Sequence, residues 1–445
     1  MVRRGWPAAE RGWTVVALGA LLVLVATASD RAPEPAPATA VEDVATGAPA
    51  TTAGADGPAP DDADAIAATA DSAAIADSDD SGEPRAFPSE GSRPGRSRPR
   101  RFTLVATGDV LLHSPLWQQA EADAAAAAQP GRDFRPLIAS IRPLVEGADL
   151  AVCHLETPVA PPEGPFAGYP SFSVPPEVVP ALADTGYDAC TTASNHTYDQ
   201  GAAGIDRTLA DLDAAGIAHA GSARTPEEAG RITLADAGPA QVALLSYTFG
   251  FNGYTAPNGE TWRSNPIDEA RILADARRAR EAGADVVVVA LHWGNEYVHE
   301  PTPQQVDLAP RLIGSPDVDL LLGHHAHVVQ PLEHVGGEWV AYGMGNLVAT
   351  HSTPGAANHE GLLVRFTFTQ EGGRDGGWRV SAAEYAPLLM VRDRTPTRLV
   401  DVARALADPA TPPDLRARLE LARDRTAGVV TSRGAAEAGL TPIAA

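Results

Sequence analysis

The sequence predicts an α/β fold over residues 101–395, on three observations. Short apolar runs recur along this stretch: "FTLVAT", "DLAVCHL", "DACTTA", "QVALLSY", "DVVVVAL" and "VDLLLG". They are continuous rather than alternating, the pattern of strands buried on both faces. Stretches that read as helices lie between several of them, at 134–146, 201–215 and 266–282. Later runs, "WVAYGMGNLVA", "GLLVRFTFT" and "WRVSAAEYAPL", alternate more and have fewer helices between them. They predict antiparallel strands. Residues 396–445 read as a helical extension followed by an Ala- and Gly-rich tail.

The first hundred residues do not read as a domain. Arg3, Arg4 and Arg11 precede the apolar stretch "TVVALGALLVLVATA" at 14–28, which ends in small residues. That order is the pattern of a secretory signal peptide. Left uncleaved, residues 1–28 would be a membrane anchor, although the stretch is shorter than the about 20 residues a span needs. Either reading places the rest of the chain outside the cytoplasm. Residues 29–100 are rich in Ala, Pro, Asp, Gly, Ser and Thr. Such a segment cannot bury enough apolar surface to offset its ordering entropy and reads as a disordered linker. It runs into the arginine cluster "RPGRSRPRR" (93–101), a solvated hinge or a contact for anionic polymer or lipid heads.

The formal net charge of −23 is partly local, since residues 30–83 hold thirteen Asp and Glu against one Arg. No lysine occurs. This balance argues against a nucleic-acid partner, and none is expected. The two cysteines, Cys153 and Cys190, are too few for a disulfide framework. Two buried free thiols are expected. A bridge between neighbouring strands is the alternative if the chain is exported.

Five of the predicted strands end in chemistry. They lead to Asp109, to Glu156, to Asn195 and His196, to His292 with Glu296 close behind, and to "GHHAHVVQPLE" with His324, His325 and His327. In α/β sheets, ligands sit outside the carboxyl ends of the strands. Carboxylate, carboxamide and imidazole together suit divalent Mn, Fe or Zn, as one or two ions. Any one of these residues alone would be read as a cap, a turn former or a hydrogen-bonded loop residue. Their coincidence at five strand ends is what points to a metal. His325 and His327, two apart in an extended segment, would point the same way and share an ion. His324 would point oppositely, toward a supporting or substrate role.

The motifs "ATGDVLLHS" (106–114), "ADLAVCHLETPVA" (148–160), "TASNHTYDQG" (192–201), "LHWGNEY" (291–297), "GHHAHVVQPLE" (323–333) and "YGMGNLV" (342–348) resemble those of the CapA family. These are poly-γ-glutamate capsule biosynthesis proteins, a branch of the calcineurin-like metallophosphoesterase fold. The resemblance implies a four-layer α/β/β/α sandwich for residues 101–395. It implies Asp109, Glu156, Asn195, His292, His325 and His327 as metal ligands, with Glu156 bridging. His196, His113 and Glu296 are the candidates for proton transfer, and His154, His324 and Asn346 for support or substrate contact. Three positions depart from the pattern: Leu111 stands where metallophosphoesterases place a His, His154 where the family has Asn, and Ala326 where it has Pro.

The implied function is synthesis, transfer or export of an anionic cell-surface polymer, acting on that polymer or its precursor and beside a membrane synthetase complex. Two other classes stay open. One is a metal-dependent phosphoesterase or amide hydrolase unrelated to capsule. The other is a non-catalytic polymer-binding scaffold.

Overall fold

The computed structural model describes residues 100–350, 357–372 and 376–445. The expected signal or anchor, and the linker up to Arg100, lie outside the described residues. The strands, in chain order, are β1 (Arg101–Val110), β2 (Leu150–Leu155), β3 (Ala189–Thr191), β4 (Ala218–Ala220) and β5 (Thr233–Ala237). Next come β6 (Ala240–Thr248), β7 (Val286–His292), β8 (Leu320–His324), β9 (Leu332–Val335) and β10 (Glu338–Ala341). The last are β11 (Asn346–Val348), β12 (Glu360–Gln370), β13 (Trp378–Val391), β14 (Arg398–Asp401) and β15 (Leu440–Pro442). They form a nine-stranded sheet, β14-β13-β12-β1-β2-β3-β4 with β11 on β1 and β15 on β13, and a six-stranded sheet, β5-β6-β7-β8-β10-β9.

Strand periodicity explains why the runs are apolar throughout. In β7, Val286, Val288 and Ala290 join the core between the sheets. Val287, Val289 and Leu291 join the core under the helices Glu269–Glu281 and Pro303–Ile313. In β1, Phe102, Leu104 and Ala106 face the other sheet. Val105 faces the helical layer that includes Ser114–Ala126 and Gly201–Ala214. Successive side chains on a strand point to opposite faces, so a strand between two layers must be apolar at every position. Each such Val or Leu contributes about 1.5–3 kcal/mol by burial. The result is the four-layer α/β/β/α sandwich.

The stretch 134–146 is not one helix. It is Arg135–Ile138, a 3-10 turn Ala139–Ile141, and Arg142–Val145. Pro136 and Pro143 stand in the first turn of each helical piece, where a missing N–H is tolerated, and neither fits inside a continuous helix. The expectation of antiparallel pairing holds for β12 and β13. It fails in part for "WVAYGMGNLVA": β10 is antiparallel to β9 but parallel to β8, and β11 is parallel to β1. The C-terminal segment contributes β14 and β15, both paired with β13, besides the helices Val402–Ala407 and Pro413–Val430.

The cysteines correct the expectation of free thiols. Cys153 and Cys190 are register partners on adjacent parallel strands β2 and β3, and they form a disulfide with Cα atoms 4.5 Å apart. The spacing along the chain, 37 residues, gave no sign that the two strands would lie side by side in this register.

Candidate metal centre

The carboxyl ends of β1, β2, β3, β7 and β8 carry the polar residues to one edge of the sandwich. Asp109 owes its place to two glycines. Its N–H donates to Gly345 O at 2.9 Å. A Cβ on Gly108 would stand 2.2 Å from that same oxygen, and Gly345 itself has φ +64. Only glycine at both positions allows the approach. It sets Asp109 in register with Asn346, which is why "TGD" and "GMGN" belong to one site.

Asp109 is fully buried. One oxygen meets His324 Nδ1 at 2.8 Å, and the other accepts the His325 N–H at 3.1 Å and lies 3.2 Å from His327 Nδ1. His327 Nδ1 is also 2.9 Å from Asn346 Oδ1. Asn346 in turn donates to the carbonyls of His327 and Asn358. A second chain of contacts begins on β3. Thr191 Oγ1 meets His154 Nδ1 at 2.8 Å, His154 Nε2 meets His292 Nδ1 at 3.0 Å, and His292 Nε2 meets Asn195 Oδ1 at 2.9 Å. The Ser194 hydroxyl donates to Glu156 O at 2.6 Å, tying the Asn195 turn to the end of β2.

Glu156 lies between these two chains. Its Oε1 is 3.7 Å from His327 Nε2 and 3.8 Å from His292 Nε2. Both of its carboxylate oxygens are buried without a hydrogen-bond partner. An unsatisfied buried carboxylate costs several kcal/mol unless something meets it. Three sets of side chains offer ligand atoms within 4.8 Å of one another: Asp109, His154 and His324; Asp109, Glu156 and His327; Glu296, His325 and His327. A divalent cation fits this donor set.

Electrostatics separate the two buried acids. Burial would raise the Asp109 pKa, but hydrogen bonds from His324 and His327 outweigh it and hold the group well below the usual range. Burial pushes Glu156 well above its usual range, against the pull of His327 and with added repulsion from Asp109, Glu296 and Asp199. Burial also lowers His154, His292 and His325, the last to about 3, with neighbouring imidazoles adding to it. His327 goes the other way: burial is overcome by Glu156 and Asp109, and its pKa rises to about 9.

His325 and His327 come together by a route other than the expected one. β8 ends at His324, and both residues adopt left-handed backbone, φ +84 and +53. The turn, and not strand alternation, brings their rings to 5.9 Å. His324 lies inside the cluster on Asp109 rather than pointing away from it. Leu111 is packed into the helical-side core. His113 stands outside the three ligand sets, its ring edge-on to Phe172 at 5.4 Å, with its pKa lowered to about 4 by burial. Glu296 is exposed at the mouth. His196 meets Asp199 at 2.7 Å, and the same Asp199 oxygen accepts the Phe172 N–H at 2.7 Å.

Sequence reasoning passed over Asp199, Asn252 and Phe249. Asp199 lay within reach, three residues after His196 in the same motif. Asn252, which accepts from Asn195 and contacts His196, sits on a loop after β6 with no local signal. Phe249 lies 4.5 Å from the His325 ring.

The fold is a four-layer sandwich with a carboxylate, imidazole and carboxamide cluster at its strand ends. The model of the family described as "Bacterial capsule synthesis protein PGA_cap" matches residues 103–351, and the chain belongs to that family. It is 29% identical over 180 residues to the capsule biosynthesis protein CapA of Bacillus anthracis, covering 40% of this chain and 44% of that one. It is 30% identical over 173 residues to the PGA biosynthesis protein CapA of Bacillus subtilis, covering 39% and 45%. A probable polyglutamine synthesis accessory protein of Mycobacterium tuberculosis is 28% identical over 229 residues, covering 48% and 58%. The chain thus spans about half the length of the curated relatives it matches. Among solved structures, it overlaps the calcineurin-like phosphoesterase YfkN of Bacillus subtilis at TM-score 0.40 and 13% identity, covering 73% of this chain and 99% of that one.

Proposed function

We propose that the chain is an exported, divalent-metal-dependent accessory protein that acts in synthesis, transfer or export of an anionic cell-surface polymer, poly-γ-glutamate by kinship. The observation that carries the metal is Glu156, whose two buried oxygens have no hydrogen-bond partner in a pocket of imidazoles. Asp109, Glu156, Asn195, His292, His325 and His327 would hold one or two ions of Mn, Fe or Zn. Such an ion, when bound, supplies Lewis-acid polarisation and a nucleophile at neutral pH. The export reading rests on residues 1–28; among the described residues, no helix is long and apolar enough to cross a membrane.

The chain's own groups prepare the site. Thr191 and His154 fix the ring of His292, leaving Nε2 toward Asn195 and Glu156. Partners of this kind set tautomer and ring orientation. His196 has Nδ1 engaged by Asp199, which leaves Nε2 as the nitrogen for proton transfer.

The test is metal analysis of the purified full chain beside the Glu156→Gln/His327→Ala double variant, with polymer output measured in cells. Stoichiometric metal and polymer in the wild type, and loss of both in the variant, are expected. Polymer output that survives loss of the metal would overturn the reading. The buried His196–Asp199 pair favours one second reading, a phosphoesterase or amide hydrolase outside capsule synthesis. Turnover of generic phosphodiesters with Mn²⁺, abolished by His196→Ala, would support it.

A further inference from the structure

Six large hydrophobic side chains are exposed among the described residues, and four of them, Phe249, Tyr254, Tyr297 and Val298, sit on two loops at the metal-centre edge. Two are built into the site itself. Phe249 follows β6, and its N–H donates to His292 O at 3.0 Å. Its ring lies 4.5 Å from that of His325 and 6.3 Å from that of His292, yet it is 49% exposed. Tyr297 follows the β7 end, and its N–H donates to Ala326 O at 2.7 Å, between His325 and His327. Its ring lies 6.1 Å from that of His327, and it is 51% exposed.

Tyr297 also holds φ +63. A bulky residue in the left-handed region is strained, and such strain persists where the surroundings over-determine it. The two aromatic residues bracket the Glu296, His325 and His327 set from opposite backbone tethers. Half-exposed aromatic faces beside a polar site are costly to leave in water and suited to stacking on flat groups. The set holds one carboxylate, Glu296, which opposes close approach of a polymer carboxylate on that side.

We infer that Phe249 and Tyr297 are specificity-determining residues that stack on the amide planes of an amide-linked polymer passing the Glu296, His325 and His327 group. The inference rests on the poly-γ-glutamate reading and adds how the chain is recognised: by its flat, uncharged linkages. Carboxylates of the polymer are left to solvent. Selectivity then distinguishes a γ-linked chain from any other polyanion of equal charge.

The test is binding to the full-length protein loaded with Mn²⁺, using two polyanions of equal carboxylate count. One is a short γ-linked glutamate oligomer; the other is polyacrylate, which has no amides. A neutral oligosaccharide is the third probe. The wild type should bind the glutamate oligomer about tenfold more tightly than polyacrylate. Phe249→Leu and Tyr297→Leu should each weaken oligomer binding about three- to tenfold. Both should leave polyacrylate binding and metal stoichiometry unchanged. Phe249→Trp should retain oligomer binding, separating a stacking role from a folding one. Equal binding of the two polyanions, or variants that weaken both alike, overturns the inference while the polymer reading stands. Oligosaccharide binding lost in these variants overturns the amide assignment. Binding of neither polyanion overturns the polymer reading and this inference together.

Discussion

Asp109 and His324 meet at 2.8 Å across 215 positions of sequence, strand end to strand end. This contact joins the two sheets at the edge that carries the candidate metal centre, since Asp109 belongs to β1 and His324 to β8. With the His325 N–H on its other oxygen, it fixes the Asp109 carboxylate in one orientation.

His324→Ala should therefore weaken metal binding about 10–100-fold without removing a residue of the proposed ligand set, the effect expected when an orienting partner of a ligand is lost. Competition against a chelator of known affinity measures it. Metal affinity equal to that of the wild type would show that Asp109 needs no such partner.

Glu156→Gln should act differently in the two states. In the metal-free protein it removes a buried carboxylate that has no hydrogen bond but also its attraction to His327, so stability should change by no more than about 1 kcal/mol. In the presence of Mn²⁺ the variant should lose the stabilisation that metal gives the wild type. Thermal unfolding with and without metal reads both effects at once.

The bridge from Cys153 to Cys190 closes a loop of 37 residues, and its loss should cost about 4 kcal/mol by the chain-entropy estimate. Denaturant unfolding with and without reductant checks this. The Cys153→Ala/Cys190→Ala variant should match the reduced protein and be insensitive to reductant.

Glu360, which is in none of the three ligand sets, supplies a further pH dependence. Burial pushes its pKa up to about 7, partly opposed by Arg425. The folded state therefore keeps a proton that the unfolded state gives up near 4.5. The stabilisation from that proton is complete below about 4.5 and is lost as pH rises to about 7. Glu360→Gln should flatten this fall, whose full depth is at most about 3 kcal/mol. Denaturation midpoints across pH 4–8 for both proteins decide it.

Much of this was legible in the sequence because strands buried on both faces leave a continuous apolar signature and end abruptly at their polar residues. β1, β2, β7 and β8 carry that signature, and Asp109, Glu156, His292 and His324 stand at or just beyond their ends. What could not be read depends on geometry that residue types do not encode. The left-handed turns at His325 and His327 follow no glycine or asparagine signal. Asn252 reaches the site from a loop whose path is set by tertiary contact. The Cys153–Cys190 bridge needed the β2–β3 register, which no local pattern specifies.

The pairing of β12 with β1 has a consequence for how this family is cut into pieces. The family match ends at residue 351. Yet seven residue pairs along β1 are made with β12, and Leu362, Val364, Phe366 and Phe368 fill the core between the sheets. A fragment stopped at the end of the match would keep the residues of the candidate metal centre while laying bare the edge of the strand that carries Asp109. Unpaired edges of this kind recruit other chains. The segment that relatives share and the segment that can stand alone in solution thus have different ends. A truncation drawn at the boundary of likeness would yield an aggregating protein with its chemistry still written in its sequence.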